Sequence, residues 1–548
     1  MRRQASIGRT VTLAIALGTL TALTGCTTAP PYAPRAALGE MPPQDAVELA
    51  DGAFDAALEQ LPEEVERILE ESGVPGAAVA VVQGGELHFA QGFGVRKLGE
   101  DAAVDEETVF QIASMSKPIG ATVVASQVSA GVVDWSTPVA PLLPGFALAD
   151  PWVTEHLTVA DLYAHRSGLP MAAGDELEDL GYDREYILDH LRSQPLQPFR
   201  ISYNYANFGM TTGAQAVANA AGVDWATLSE RELYGPLHMD STSSRYEDFL
   251  ARDNRATLHA KTGDGEFAPL YERTPDAQSP AGGVSSNVVD LAKWMSLVLD
   301  DGSFAGEELI APSALAPAIA PEIATGLPPV PDARAGFYGY GFNVGTQPSG
   351  RVTLGHSGAF ILGAGTNFQL VPALDLGVVA LTNGAPVGAA EAIVSEFLDR
   401  VQYGEATRDW LEAYGAALGH YFEPAGDLAG ERRPADPAPS RPLTDYAGTW
   451  QNPYYGEAVV AVDQASGGLV VRLGNGGTTV LELEPWDGDV FAFEPDGENA
   501  PAGSRSSAAF GFGGGSADAS EADASDGSAG ATMTLNFYDT SGLGTWTR

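Results

Sequence analysis

Two stretches of this 548-residue chain carry strand-forming patterns, at residues 76–97 and 337–383, and helical patterns fill most of the span between them. The first, GAAVAVVQGGELHFAQGFGVRK, reads as two strands joined at Gly84-Gly85, with β-branched and aromatic residues bracketed by turn signals. The second is a run of short segments, FYGYGFNVG, RVTLGH, GTNFQLVP and LGVVALTN, followed by the helical pattern GAAEAIVSEFLDRVQ. Ahead of the hairpin, Phe54, Leu58, Leu61, Val65, Ile68 and Leu69 recur at helical spacing. Pro62 is expected to open the second half of that pattern and Gly73 to end it. Strands this far apart in the chain cover their apolar faces best by sharing one antiparallel sheet. The order therefore predicts an α+β body in which the middle of the chain forms a helical lobe, with a cleft between lobe and sheet.

A second unit follows. After a Pro-rich stretch at 424–443, short alternating segments separated by Gly, Asn and Asp run to the C-terminus and predict a small all-β domain. Within it, SRSSAAFGFGGGSADASEADASDGSAG reads as a low-complexity insert, expected to be a disordered loop near residues 502–530. The expected organisation is a signal segment at 1–25, a flexible tether at 26–45, the α+β body at 46–405, a helix and Pro-rich linker at 406–442, and the β domain at 443–548.

Arg2, Arg3 and Arg9 precede the apolar stretch VTLAIALGTLTAL, whose 13 residues are too few to span a bilayer, which takes about 20. This reads as an export signal. Cys26, the only cysteine in the chain, closes the tetrapeptide LTGC, which resembles a bacterial lipobox; an ordinary secretory signal with an incidental cysteine is the alternative. The expectation is a chain lipidated at Cys26 and attached to the cell envelope. A lone thiol rules out disulfides within the chain, zinc–thiolate centres and a second cysteine for redox chemistry.

Seventy-two acidic against 29 basic residues give a formal charge of −43, which repels nucleic-acid phosphates and anionic lipid over most of the surface. Adaptation to high salt accounts for the acid excess; a GC-rich genome accounts for arginine over lysine but not for the acids.

Only four lysines occur: Lys97, Lys117, Lys261 and Lys293. Lys117 follows Ser114 by three positions in FQIASMSKPIG, where a helix begins, so the two side chains share a helix face. A desolvated lysine can take a serine proton, whereas an arginine cannot give up its charge. The helix N-terminus favours negative charge developing on the serine oxygen. The other lysines have Gly94, Leu258 and Asp290 in the corresponding position. No Gly-x-Ser-x-Gly elbow is present, since GHSGA ends in Ala359, and the eight histidines show no metal-binding spacing. No metal or organic cofactor is implied.

The motifs SMSK, then Tyr205-Ala206-Asn207 in SYNYANFGM, then His356-Ser357-Gly358 in LGHSGAF resemble, in that order, those of the serine β-lactamase and penicillin-binding protein superfamily. The nearest branch is the one with class C β-lactamases, D-peptidases and β-lactamase-like esterases. Residues 157–170 and 279–295 extend the resemblance, which covers roughly 50–400; the β tail resembles the lipocalin-like domain appended to some of these hydrolases. Tyr203 does not fit the second motif, because Tyr205 stands where asparagine belongs. Lys261-Thr262-Gly263 competes for the third, but its context, AKTGDGEFAPL, reads as a hairpin turn placed too early in the chain. His165 is expected to be a packed structural histidine.

The resemblance implies a β-lactamase/transpeptidase-like fold and a serine hydrolase. Ser114 would form an acyl-enzyme, with Lys117 and Tyr205 as the acid/base pair and Asn207 positioning both substrate and Lys117. His356 and Gly358 would line the substrate, and the N–H groups of Ser114 and Ala359 would hold the oxyanion. The expected substrate is a small molecule or peptide of ester, D-amino-acid amide or β-lactam type. His356 stands where the family usually has lysine, which weakens the grip on a substrate carboxylate and favours esterase or amidase over β-lactamase chemistry. The competing reading is a surface sensor or penicillin-binding protein that kept the fold and lost turnover.

Overall fold

The computed structural model describes residues 47–326, 330, 333–512 and 530–548. The expected signal segment, Cys26 and the tether at 26–45 lie outside the described residues.

Helix α1 (Ala53–Ser72) ends on Gly73 in the left-handed conformation (φ 74°), and Pro62 lies inside one continuous helix rather than starting a second. The hairpin β1 (Gly76–Gln83) and β2 (Glu86–Gly94) turns at Gly84 and Gly85, whose φ values of 60° and 74° are the left-handed pair such a tight turn requires. Helices α2 (Ser116–Ser129), α3 (Asn207–Ala221) and α4 (Val288–Leu299), with several shorter ones, make up the middle of the chain. The later strands are β3 (Ile323–Ala324), β4 (Phe337–Tyr338), β5 (Asn343–Thr346), β6 (Val352–Phe360), β7 (Ala364–Val371) and β8 (Leu376–Thr382), after which comes α5 (Ala389–Tyr403).

These strands form one antiparallel sheet in the order β2-β1-β8-β7-β6-β5-β4-β3, so the N-terminal hairpin joins the C-terminal strands through β1 and β8. Alternation along the strands separates two cores. Ala77, Val79, Val81, Val378 and Ala380 face one side, packing with Leu61, Val65 and Ile68 of α1 and Ile393 and Phe397 of α5. Ala78, Ala80, Val82, Val379 and Leu381 face the other, packing with Trp294 of α4 and the helical lobe. Both faces are covered, which is why β1 and β8 read as continuous apolar runs.

The tail closes into an antiparallel barrel of eight strands, β9 (Gly448–Asn452), β10 (Gly456–Val462), β11 (Leu469–Leu473), β12 (Thr479–Asp487), β13 (Val490–Phe493), β14 (Ser506–Gly511), β15 (Thr532–Leu535) and β16 (Thr545–Thr547). Two of these correct the sequence reading. Ser506–Gly511, assigned by composition to the low-complexity insert, is a strand whose Ser506, Ser507 and Ala508 are buried, and the three-residue β16 closes the barrel against β9. Residues 513–529 of the insert lie outside the described residues.

The barrel docks on the helical lobe. Tyr182 and Tyr186 hydroxyls donate to the carbonyls of Tyr455 and Tyr454 (2.7 and 3.2 Å), and Gln194 Nε2 donates to the Tyr454 hydroxyl (2.6 Å). The stretch expected to be a linker is also held: Asp427 accepts from Ser506 and Ser507, and Leu428 N–H donates to Arg505 O.

Candidate active site

The turn bearing Ser114 is fixed by contacts that leave little room. Ala113 is in the left-handed region (φ 47°), where a β-carbon is strained, and the turn continues through a short 3₁₀ helix into α2. Ser116 Oγ donates to the Ala113 carbonyl (2.6 Å) and accepts from Val284 N–H (2.9 Å), clamping the turn to the segment before α4. On the other side, β6 approaches so closely that a β-carbon at Gly358 would come within 2.2 Å of the Ile112 carbonyl oxygen. Only glycine lets the strand reach the turn.

Lys117 is fully buried, one helical turn on. Its Nζ lies 2.9 Å from Ser114 Oγ, 2.8 Å from the Ala281 carbonyl, and 4.5 Å from the centroid of the Tyr205 ring. Burial lowers its pKa to about 7, with Asp175 opposing the shift. The ammonium is thereby brought to the edge of neutrality. The Tyr205 hydroxyl faces the Ser114 side chain, and burial holds its phenol well above 10, so the hydroxyl keeps its proton. Of the two, Lys117 is the group able to accept a proton near neutral pH.

Tyr205 precedes α3 on a loop fastened by His165. The His165 carbonyl accepts from Asn204 N–H (2.9 Å), its Nδ1 accepts from Ala206 N–H (3.2 Å), and its ring packs 4.5 Å from that of Tyr205. Desolvation keeps the imidazole neutral. His165 is thus a packed histidine whose packing positions Tyr205, a task no spacing in the sequence announces.

His356 is buried on β6. Its Nδ1 donates to the Ser357 carbonyl (2.5 Å), which leaves Nε2 to accept from the Tyr338 hydroxyl (3.0 Å). Burial and nearby Lys117 push its pKa down to about 3, so it is neutral. Strand β5 pairs with β6 only over 352–355, so 356–360 has β7 on one side and the Ser114 turn on the other. Ala359 lies on that open edge.

Ser114, Tyr205, Asn207, His356 and Ala359 line one cleft of about 640 Å³, with Lys117 beneath Ser114. Asn207 differs from expectation: its Nδ2 donates to Asp175 (2.9 Å), while the hydrogen bonds of Lys117 go to Ser114 and Ala281. Lys261 lies elsewhere, exposed on the hairpin Ala260–Lys261 with Phe267–Ala268, its Nζ 5.4 Å from the Phe422 ring.

Sequence reasoning missed the acidic character of the cleft. Asp175, Glu178, Asp179, Glu391 and Glu498 all line it, and burial raises the pKa of Asp175, Asp179, Glu391 and Glu498. In the sequence GDELED looks like a solvated helix end. Among the described residues no group of side chains has the make-up of a metal site.

The Beta-lactamase family model matches residues 54–399, and a Domain of unknown function (DUF3471) matches 432–519. The chain is 27% identical over 469 residues to "Unguisins hydrolase ungD" of Aspergillus violaceofuscus, covering 79% of this chain and 80% of that protein. It is 29% identical over 395 residues to "Penicillin-binding protein 4" of Amycolatopsis lactamdurans, covering 70% and 94%. Among solved structures, the octameric penicillin-binding protein homologue from Pyrococcus abyssi superposes with a TM-score of 0.56 at 19% identity, over 90% of this chain and all of that one. The class C beta lactamase from Rhodobacter sphaeroides does so with 0.50 at 22% identity, over 63% and 98%. These two likenesses are of fold.

Proposed function

The chain belongs to the beta-lactamase family of serine hydrolases, and from that premise we propose that Ser114 is its acylated nucleophile and that its substrates are esters or amides with no carboxylate beside the scissile bond. The observation that carries this reading is the 2.9 Å approach of a buried Lys117, with a pKa near 7, to Ser114 Oγ.

Neutral Lys117 takes the Ser114 proton as Oγ attacks the carbonyl carbon. The oxyanion forms between the N–H groups of Ser114 and Ala359, each such donor contributing roughly 3 kcal/mol. Tyr205, a protonated phenol in contact with Ser114, passes a proton to the leaving group and recovers it from Lys117; water then cleaves the acyl-enzyme by the same path in reverse. A neutral His356 supplies no counter-charge for a substrate carboxylate, which weighs against β-lactams and C-terminal D-peptides.

Export and lipidation at Cys26 belong to the same proposal and rest on the N-terminal sequence alone. A fluorophosphonate probe should add one mass, recovered on Ser114. Short-chain nitrophenyl esters should turn over faster than a chromogenic cephalosporin, and Ser114→Ala should abolish both. Label on another residue, or full activity in Ser114→Ala, would refute the mechanism.

A further inference from the structure

Glu391, in the first turn of α5, lines the same cleft as Ser114. It is 4% exposed and its Oε2 has no hydrogen-bond partner. The Ser357 side chain faces its carboxyl, and Ser357 Oγ accepts from Asn367 Nδ2 at 2.9 Å. The residue beside His356 on β6 therefore lies against an acid.

The other buried carboxyls of the cleft each have a donor from the protein on one oxygen, while Asp175 Oδ1, Glu178 Oε1 and Glu498 Oε2, like Glu391 Oε2, have no hydrogen-bond partner. Glu178 pairs with Arg273 (2.7 Å), Asp179 accepts from Asn499 (2.7 Å), Asp175 accepts from Asn207 (2.9 Å), and Glu498 accepts from the Ile361 N–H (2.6 Å). Glu391 has its own backbone N–H and the Ser357 hydroxyl near its carboxyl and no cation among the described residues. A buried carboxyl with one oxygen unpaired is costly, and the cost falls when a cation arrives. A cation in that place stabilises the ionised carboxylate that burial alone disfavours, whereas a ligand carboxylate would find no counter-charge there or at neutral His356.

We propose that Glu391 is a specificity residue that receives a positively charged group of the substrate, an ammonium, and turns away substrates carrying an anion there. This rests on the cleft being the hydrolase site argued above.

The test is a charge series of closely matched shape: nitrophenyl esters of 4-(trimethylammonio)butyrate, 5,5-dimethylhexanoate and 4-sulfobutyrate. The wild type is expected to rank them cation, neutral, anion by kcat/KM, with about tenfold or more between the first two. Glu391→Gln, which keeps the shape and a partner for Ser357, should bring that ratio to within about threefold. A flat or reversed ranking in the wild type overturns the proposal, as does an unchanged ratio in Glu391→Gln. Should that variant fail to fold, the wild-type ranking decides alone. Calorimetry of the corresponding anilides on Ser114→Ala reads the same preference without turnover. If Ser114→Ala hydrolyses the esters as fast as the wild type, the hydrolase reading falls, and the binding order on that variant still supports or overturns the role of Glu391.

Discussion

Glu498, carried on a loop of the barrel, accepts a hydrogen bond from the N–H of Ile361, at the end of the cleft strand, at 2.6 Å. The barrel is thus part of the cleft wall. Arg273, which is buried, makes the junction tolerable: it pairs with Glu178 (2.7 Å) and lies 3.7 Å from Glu498, one acid from the helical lobe and one from the barrel. Removing one partner from such a cluster leaves charge buried without compensation, which costs more than the net worth of the pairs. Arg273→Met is expected to lower stability by about 3–5 kcal/mol, read as a fall in the denaturant midpoint, and Glu178→Gln in the same background should recover part of the loss. A midpoint within about 0.5 kcal/mol of wild type would show that the junction is solvated.

The second prediction concerns pH. As the proposed base, Lys117 would act only when neutral, so kcat/KM should rise with pH along a limb centred near 7. The same displacement, from 10.5 to about 7, makes stability pH-dependent. Below pH 7 both folded and unfolded chains hold the proton and the full penalty applies, roughly 5 kcal/mol. Between about 7 and 10.5 only the unfolded chain holds it, so stability rises with pH through that window. Lys117→Met should therefore gain most over wild type near pH 6, and the gap should close toward pH 10. A gap independent of pH would mean that Lys117 titrates normally.

Much of this was legible because it is periodic or local. The hairpin at Gly84-Gly85, the continuous apolar runs of β1 and β8, and the Ser114–Lys117 spacing all announce themselves within a few residues. The barrel-closing strands did not: β14 begins in a serine run that merges with low-complexity sequence, and β16 has three residues, too few to show alternation. Nor did the helix through Pro62, whose neighbours Leu61 and Val65 are held by packing against the sheet, a tertiary effect that outweighs a local propensity. The acids of the cleft were hidden for a different reason. Asp175, Glu178 and Glu391 have ordinary helical contexts, and packing against residues distant in the sequence is what takes them out of water.

A third expectation follows from the charge of −43. Like charges at this density repel one another across the folded surface, and salt screens that repulsion, with the Debye length falling from about 10 Å at 0.1 M to about 3 Å at 1 M. Thermal midpoints should accordingly climb between 0.1 and 2 M KCl. Constant or falling midpoints would mean that the acids are spaced widely enough to need no screening, and adaptation to high salt would lose its support.

The last prediction separates the two candidates for the far wall of the cleft. His356 is buried near Lys117, neutral, and fixed by Ser357 and Tyr338, and in the proposed mechanism its ring shapes the wall against which the substrate lies. His356→Ala should lower kcat/KM by about tenfold or more, at least 1.4 kcal/mol of transition-state stabilisation. Lys261 is exposed on its hairpin, and Lys261→Ala should stay within about 0.5 kcal/mol of wild-type stability and leave turnover alone. His356→Lys is the more searching variant. An ammonium in that place would sit near Lys117, whose pKa it would depress further, and would offer a carboxylate-bearing substrate the partner it now lacks. The ascending limb of the pH profile should move to lower pH, and the preference for neutral over anionic esters should shrink. If Lys261→Ala abolishes activity while His356→Ala retains it, the third motif is the Lys261 triplet, and β6 is not the wall that substrates meet.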